Sequence, residues 1–178
     1  MAAGLPDNAS GVRVNPKSNP NPDSPQGKSQ ANDFATSQFA TFYVDGQFFG
    51  VDVLHVQEVL RFQDMTRVPL APATIQGLIN LRGQIVTAID MRRRLGLRPR
   101  SDSEVPMNVV LRSEDGAVSL LVDEIGDVLD VTAESREPVP ENIASPQAKL
   151  LAGVAKLEQK LLLILETQHL LNAESRDA

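Results

Sequence analysis

The 178-residue chain is 42% hydrophobic, 22% charged and 4% aromatic, with 17 basic against 23 acidic side chains and neither cysteine nor tryptophan. That composition describes an ordinary globular protein, and the lack of cysteine excludes disulfides, zinc–thiolate sites, iron–sulfur clusters and thiol nucleophiles together. The net charge of −6 argues against broad affinity for nucleic acid, and a reducing, cytoplasmic setting is the expectation.

From Met1 to Asp33 there is no aromatic residue, and Pro6, Pro16, Pro20, Pro22 and Pro25 stand among Asn, Ser, Gln and Gly. Such a segment buries too little apolar surface to offset the entropy of ordering, so residues 1–37 are expected to form a disordered, charge-balanced tail. No basic n-region opens the chain, and its longest apolar run, Leu161 to Leu165, is far shorter than the roughly 18 residues of a membrane span.

Order is expected from about Gln38. Alternating Phe39, Thr41 and Tyr43, then Asp45-Gly46, then Gln47 to Val51 predict two strands around a tight hairpin. Val53, Val56, Val59 and Leu60 recur at three- and four-residue intervals, which predicts a short helix or helical turn. A strand is expected around Arg61 to Val68 and a loop at Pro69 to Pro72. Ile75 to Leu81 and Gln84 to Asp90 then flank Arg82-Gly83 as a second hairpin, and a short helix ends at Gly96.

The second half repeats this order. Asp45-Gly46 aligns with Asp115-Gly116, Val56 and Val59 with Ile125 and Val128, and Val68-Pro69 with Val139-Pro140. Gly77 to Leu95 matches Gly153 to Leu171 without a gap, pairing Leu81 with Leu157, Ile85 with Leu161 and Asp90 with Glu166. Two copies of short strands joined by Gly, Pro and Asp turns predict a duplicated small antiparallel barrel with a cleft shared between the copies. The expected ordered domain is 38–172, with halves near 38–100 and 105–172 and a flexible end at 173–178.

Chemistry is sparse. His55 and His169 have no metal-ligand spacing, and the acidic run Asp123, Glu124, Asp127, Asp130 lacks the Asp-x-Asp-x-Asp-Gly loop of a calcium site. No phosphate-binding glycine loop or nucleophile elbow is present, so neither catalytic residue nor cofactor nor metal site is assigned. Met91-Arg-Arg-Arg-Leu-Gly-Leu-Arg-Pro-Arg100 is a basic anomaly in an acidic chain. One reading is a nucleic-acid-binding tandem barrel acting through Arg92, Arg93, Arg94, Arg98 and Arg100. The lack of interleaved aromatics favours a solvated or partner-facing surface instead. Arg82-Gly83 becomes Glu158-Gln159 in the second copy, reversing the charge and losing the glycine, so the first turn can be tighter and present Arg82 differently.

Phe49-Gly-Val-Asp-Val-Leu-His-Val-Gln-Glu-Val59, Val68-Pro69, and Gly77-Leu-Ile-Asn-Leu-Arg-Gly-Gln-Ile-Val-Thr-Ala-Ile-Asp-Met-Arg92 closely resemble the CheW family of chemotaxis coupling proteins. Leu121 to Val128 and Leu161 to Leu171 fit as well, so the resemblance runs from about Phe39 to Leu171. It implies an all-β fold with short helices, two intertwined SH3-like five-stranded β-barrels, and no catalytic activity. It also implies an adaptor joining the cytoplasmic tip of chemoreceptors (methyl-accepting proteins) to the regulatory domain of a CheA-type histidine kinase. Contacts would run through pseudo-equivalent barrel ends, with the membrane reached only through receptors and no nucleic acid bound. Carried over by motif, the partner-binding positions implied are Val56, Glu58, Gly77, Asn80, Arg82 and Gly83, with Val128 as a weaker candidate for the cleft.

Overall fold

The computed structural model describes residues 35–114 and 116–171; the expected tail up to residue 34 and the end beyond 171 lie outside them. The first ordered strand, β1 (Thr36–Val44), starts two residues ahead of Gln38 because Thr36 already pairs with Thr132. It turns at Asp45-Gly46 into β2 (Gln47–Asp52), and both turn residues have positive φ, 48° and 76°. That is the backbone which two-residue hairpins require and which Asp-Gly supplies most readily.

The expected helical turn forms at the start of Val53 to Leu60, and the expectation is corrected for the rest. Only Val53–His55 forms a 3₁₀ turn, capped by the Asp52 carboxylate, which accepts from the Leu54 N–H at 2.9 Å. Val56–Leu60 is strand β3. Its three-residue spacing of valines mimics a helix because a bulge falls between Val56 and Glu58, adding one residue and returning Val56 and Val59 to the same face of the sheet. β-branched Val56 and Val59 suit the pleated ladder better than a helix.

The strand expected at Arg61 to Val68 is also corrected: the segment is irregular apart from one bridge, Thr66 to Leu78. Its carbonyls are taken by side chains instead. Gln63 Nε2 donates to the carbonyls of Arg61 and Phe62, and Asn108 Nδ2 also donates to Arg61.

β4 (Ile75–Leu81) and β5 (Gln84–Asp90) form the expected hairpin, and α1 (Met91–Arg94) follows. Asp90 caps α1 by accepting from the Arg92 and Arg93 N–H groups at 2.9 and 3.3 Å. At the other end Gly96 has φ +69°, and the N–H groups of Gly96 and Leu97 donate back to Arg93 and Arg92. This is the glycine-terminated helix stop anticipated from the sequence.

The second copy supplies β6 (Met107–Ser113), β7 (Gly116–Val122), β8 (Glu124–Thr132), β9 (Arg136–Glu137), β10 (Leu151–Lys156), β11 (Leu161–Leu165) and α2 (Thr167–Leu171). One alignment shifts. Ser113 pairs with Gly116 as Val44 pairs with Gln47, so Gly116 corresponds to Gln47 and stands one residue beyond the place of Gly46. The pairing of Val56 and Val59 with Ile125 and Val128 holds: both β3 and β8 carry a bulge at the same step of their ladders.

The strands assemble into two sheets, β8-β1-β2-β11-β10-β9 and β3-β6-β7-β5-β4. Each therefore joins the first hairpin of one copy to the last hairpin of the other. The seams are antiparallel where β1 meets β8 and β3 meets β6, and parallel where β2 meets β11 and β5 meets β7. This is the intertwined, SH3-like two-sheet architecture anticipated.

Three apolar clusters result. Ile79, Leu81, Val86, Val110 and Ala117, with Leu60 and Met65, fill the interior of the five-stranded sheet and draw on every one of its strands, so that sheet curls on itself. Phe39, Phe48, Val131, Ala155, Leu162 and Ile164 form the corresponding cluster of the six-stranded sheet, drawing on all its strands but β9. The largest cluster, including Phe42, Phe49, Val51, Leu111, Leu120, Val154 and Leu165, lies where the two sheets meet.

Candidate partner-binding site

A two-residue hairpin turn of the type I′ class needs left-handed backbone at both central positions. Arg82 (φ 53°) and Gly83 (φ 88°) meet that condition. Asn80 secures the turn, its Oδ1 accepting from the Gly83 N–H at 2.9 Å. Arg82 Nη2 then reaches Glu58 Oε2 at 3.0 Å. Because β3 and β4 are the two outer strands of their sheet, this ion pair closes the barrel rim from one edge to the other.

The partners are unequal. The Arg82 side chain is 84% exposed and that of Glu58 17%, so the cation faces solvent while the carboxylate sits mostly covered behind it. Ile85, two residues past the turn, is 61% exposed, and Val59, beside Glu58, is 41% exposed. An outward cation with apolar side chains from the same hairpin and the adjoining edge strand is suited to a protein partner: apolar area supplies desolvation and the charge fixes orientation.

Among the sequence-derived candidates, Glu58, Asn80, Arg82 and Gly83 come together here. Val56 is half-buried at the start of β3, paired with Leu111 and packed against the shared core. Gly77 is buried at a bulge, where a Cβ would stand 2.7 Å from the Thr66 carbonyl oxygen. Val128 lies on the other sheet, 55% exposed and opposite Ala40. Val59 and Ile85 were missed as surface positions because Val59 fits a helical core stripe and Ile85 an alternating strand. Their counterparts in the second copy, Val128 and Leu161, are exposed too, a likeness visible only in the structure.

The corresponding end of the second barrel differs. Glu158 and Gln159 have no positive φ, and the loop is wider, with the Leu157 N–H donating to the Lys160 carbonyl at 3.0 Å. Its cation is held, still exposed, against the aromatic pair: Lys160 Nζ lies 4.0 Å from the centre of the Phe48 ring and donates to the Tyr43 hydroxyl at 3.0 Å. Two similar ends thus present different charge. Replacing Gly83 by Ala isolates the backbone contribution at the first, since a Cβ there meets nothing within 4 Å while φ stays at 88°. The expected cost is about 1 kcal/mol of stability, read from urea unfolding.

The basic run has other duties. Arg92 and Arg100 have side chains only 4% and 9% exposed. Arg92 Nε donates to both oxygens of Asp123 at 2.9 and 3.0 Å, and its Nη2 meets Glu104 at 3.0 Å. Arg100 Nη2 meets Asp123 Oδ1 at 2.8 Å. Arg93 donates to the Ala73 carbonyl, Arg94 to that of His169, and Arg98 pairs with Asp45. Of the arginines required by the nucleic-acid reading, Arg92 and Arg100 are mostly covered and bound to Asp123, whereas Arg93 and Arg98 stay exposed while keeping partners within the chain.

The carboxylates of this network are held in their charged form. Hydrogen bonds from the Ser101 N–H, Arg92 and the Ser101 hydroxyl lower Glu104 to about 2. Burial alone would raise Asp123, but bonds from Arg92, the Asp45 N–H and Arg100 outweigh it and lower the net value. Both groups therefore contribute stability that is complete above the ordinary carboxylate range and is lost as pH falls through their depressed values. The urea midpoint is expected to decline from about pH 4.5 towards pH 2, and Glu104→Gln should flatten that decline.

The acidic run carries no metal arrangement: Asp123 is ion-paired, Asp127 gives its carbonyl to Thr41 Oγ1, and Asp130 accepts from Gln38. Among the described residues no three His, Asp or Glu side chains converge as metal ligands, and no helix is long and apolar enough to cross a membrane.

The same fold recurs among known proteins. The family model for the CheW-like domain matches residues 38–175. The chemotaxis protein CheW of Klebsiella aerogenes is 32% identical over 144 residues, covering 81% of this chain and 87% of that protein. The Bacillus subtilis chemotaxis protein CheW is 31% identical over 134 residues, 75% and 86% of the two chains. Among solved structures, the scaffolding protein TtCheW of Thermoanaerobacter tengcongensis superposes with a TM-score of 0.67 at 28% identity, covering 73% of this chain and 88% of that one.

Proposed function

The chain belongs to the CheW-like family, and from that premise we propose that it is a non-enzymatic cytoplasmic adaptor coupling chemoreceptors to a CheA-type histidine kinase. The observation that carries the reading is the rim of the first barrel, where Arg82 stands outward over a covered Glu58, with exposed Ile85 and Val59 on the same hairpin and edge strand. Such a surface binds protein and offers no reacting group.

The two barrel ends carry the same apolar positions but different charge. This lets one molecule meet two partners without confusing them, since an unmatched charge at either end penalises the wrong partner. The receptor's cytoplasmic tip and the kinase regulatory domain are the partners assigned. A receptor change reaches the kinase only if contacts through the adaptor differ between receptor states, and coupling of about 1–3 kcal/mol is enough.

The test is a pulldown with the full chain as bait, asking for a chemoreceptor and a histidine kinase together, followed by reconstitution of kinase activation. Retention of both, with activation dependent on the adaptor, supports the reading. Retention of neither overturns it.

A further inference from the structure

A covalent chain that passes from one sheet to the other has to cross at particular residues, and such crossings set how the sheets sit on each other. Two of these crossings are related by the repeat. β2 leaves the six-stranded sheet through Asp52 for β3, and β7 leaves the five-stranded sheet through Asp123 for β8.

They are built differently. The Asp52 carboxylate caps one 3₁₀ turn through the Leu54 N–H. Asp123 gathers groups from both sheets. Its N–H donates to the Tyr43 carbonyl on β1 at 2.9 Å, and its Oδ2 accepts from the Asp45 N–H at the β1–β2 turn, both in the six-stranded sheet. Its oxygens also accept from Arg92 on α1, which continues β5 of the five-stranded sheet, and from Arg100 in the connection to β6. Glu104, farther along that connection, binds the outer edge of Arg92. One carboxylate is thus the common acceptor for the β1–β2 hairpin, a helix and the link between the copies.

Partly buried ion pairs of this kind add little net stability compared with apolar packing, but they specify one geometry, because every member must keep its partner. Here the apolar core between the sheets already supplies cohesion. What the charged cluster adds is a single permitted placement of one sheet against the other.

We propose that Asp123 is a positioning residue which, through Arg92 and Arg100, holds the two barrels in the one relative placement that lets binding on one be felt on the other. The inference rests on the adaptor reading and deepens it: the partner surfaces lie on the barrels, and the cluster is the part that transmits between them. It also predicts a division of labour, in which Asp123 affects linkage between partners and Arg82 affects attachment to one.

The experiment uses the full chain, a soluble CheA-type regulatory domain and a receptor tip fragment. The quantity read is the ratio of kinase-domain Kd values without and with saturating receptor fragment. Wild type should show a ratio different from one, by about fivefold or more. Asp123→Asn should bind each partner alone within about twofold of wild type and bring the ratio close to one, whereas Asp52→Asn at the other crossing should leave the ratio as in wild type.

An unchanged ratio in a folded Asp123→Asn protein overturns the proposal. So does an equal loss in Asp52→Asn, which would mean general softening, or a wild-type ratio of one with both partners bound, which leaves the adaptor reading standing. Wild type binding neither partner overturns the adaptor reading itself and the proposal with it. If Asp123→Asn does not fold, Glu104→Gln, which removes only the outer half of the cluster, decides by the same ratio: a reduced value supports the proposal and an unchanged one overturns it.

Discussion

Arg82→Glu is expected to weaken association with one partner at least about tenfold, equivalent to about 1.4 kcal/mol, while shifting the unfolding midpoint little. The two expectations separate because the ion pair is lopsided. With the Arg82 side chain 84% exposed, its bond to Glu58 is largely screened by water and contributes about 0–1 kcal/mol to folding. The same exposure makes it the first charge an approaching surface meets, and reversal places two carboxylates at the rim. Calorimetric titration at two salt concentrations checks this, since a rim charge loses influence as ionic strength rises. The double reversal Glu58→Arg with Arg82→Glu should restore the rim bond yet stay defective in binding, because the outward group would still be negative. Recovery of binding in that double variant would mean that the partner reads the closed rim rather than the cation.

Gly77→Ala and Gly153→Ala should each cost about 1–3 kcal/mol of stability, among the largest effects of single methyl additions in this fold. At both positions a Cβ would lie 2.7 Å from a carbonyl oxygen, Thr66 in one copy and Glu137 in the other. Backbone oxygens cannot swing aside as a flexible side chain can. Each glycine also sits at a bulge, after Ile75 and after Leu151, where the strand bends under the crossing segment. Gly77→Ala should be the worse of the two. Thr66 is fixed by reciprocal bonds with Leu78 of 2.8 and 2.9 Å, and the Met65 Cβ stands 3.1 Å from the added carbon. Urea unfolding of the two variants checks both the loss and its order. Equal and negligible losses would show that the crossing segments give way freely.

These twin glycines also show why so much of the architecture was legible. A spacing of 76 residues carried through Gly77/Gly153, Ile85/Leu161 and Asp90/Glu166 places equivalent strands, turns and helix caps without any long-range knowledge. The tight turns at Asp45-Gly46 and Arg82-Gly83 were readable because left-handed backbone restricts residue choice. The bulge in β3 was not readable, since inserting one residue into a period of two produces the spacing of a helix. Nor could the seams be read: the apolar run Phe48 to Val51, buried on both faces of β2, tells nothing about whether β11 lies beside it.

The Arg82–Glu58 pair was legible only in part. The motif around Asn80 to Gly83 marked the turn, while the 24-residue separation from Glu58 gave no local sign that the barrel would close there. The arginine run misled in the opposite direction. Counted along the chain it is a basic patch, whereas in space Asp123 and Glu104 neutralise its buried members from more distant positions.

The exchange of strands bears on how such a molecule could arise. Cut between the copies, each piece keeps its own hairpins but loses a neighbour along β1, β2, β3 and β5 or their equivalents, leaving bare ladders on both. Only a second identical piece could cover them, so the unduplicated ancestor of this arrangement would have had to be a twofold homodimer. Within one chain the two halves are free to differ: the Arg82 end and the Lys160 end are not copies, and the pair of barrels has a direction.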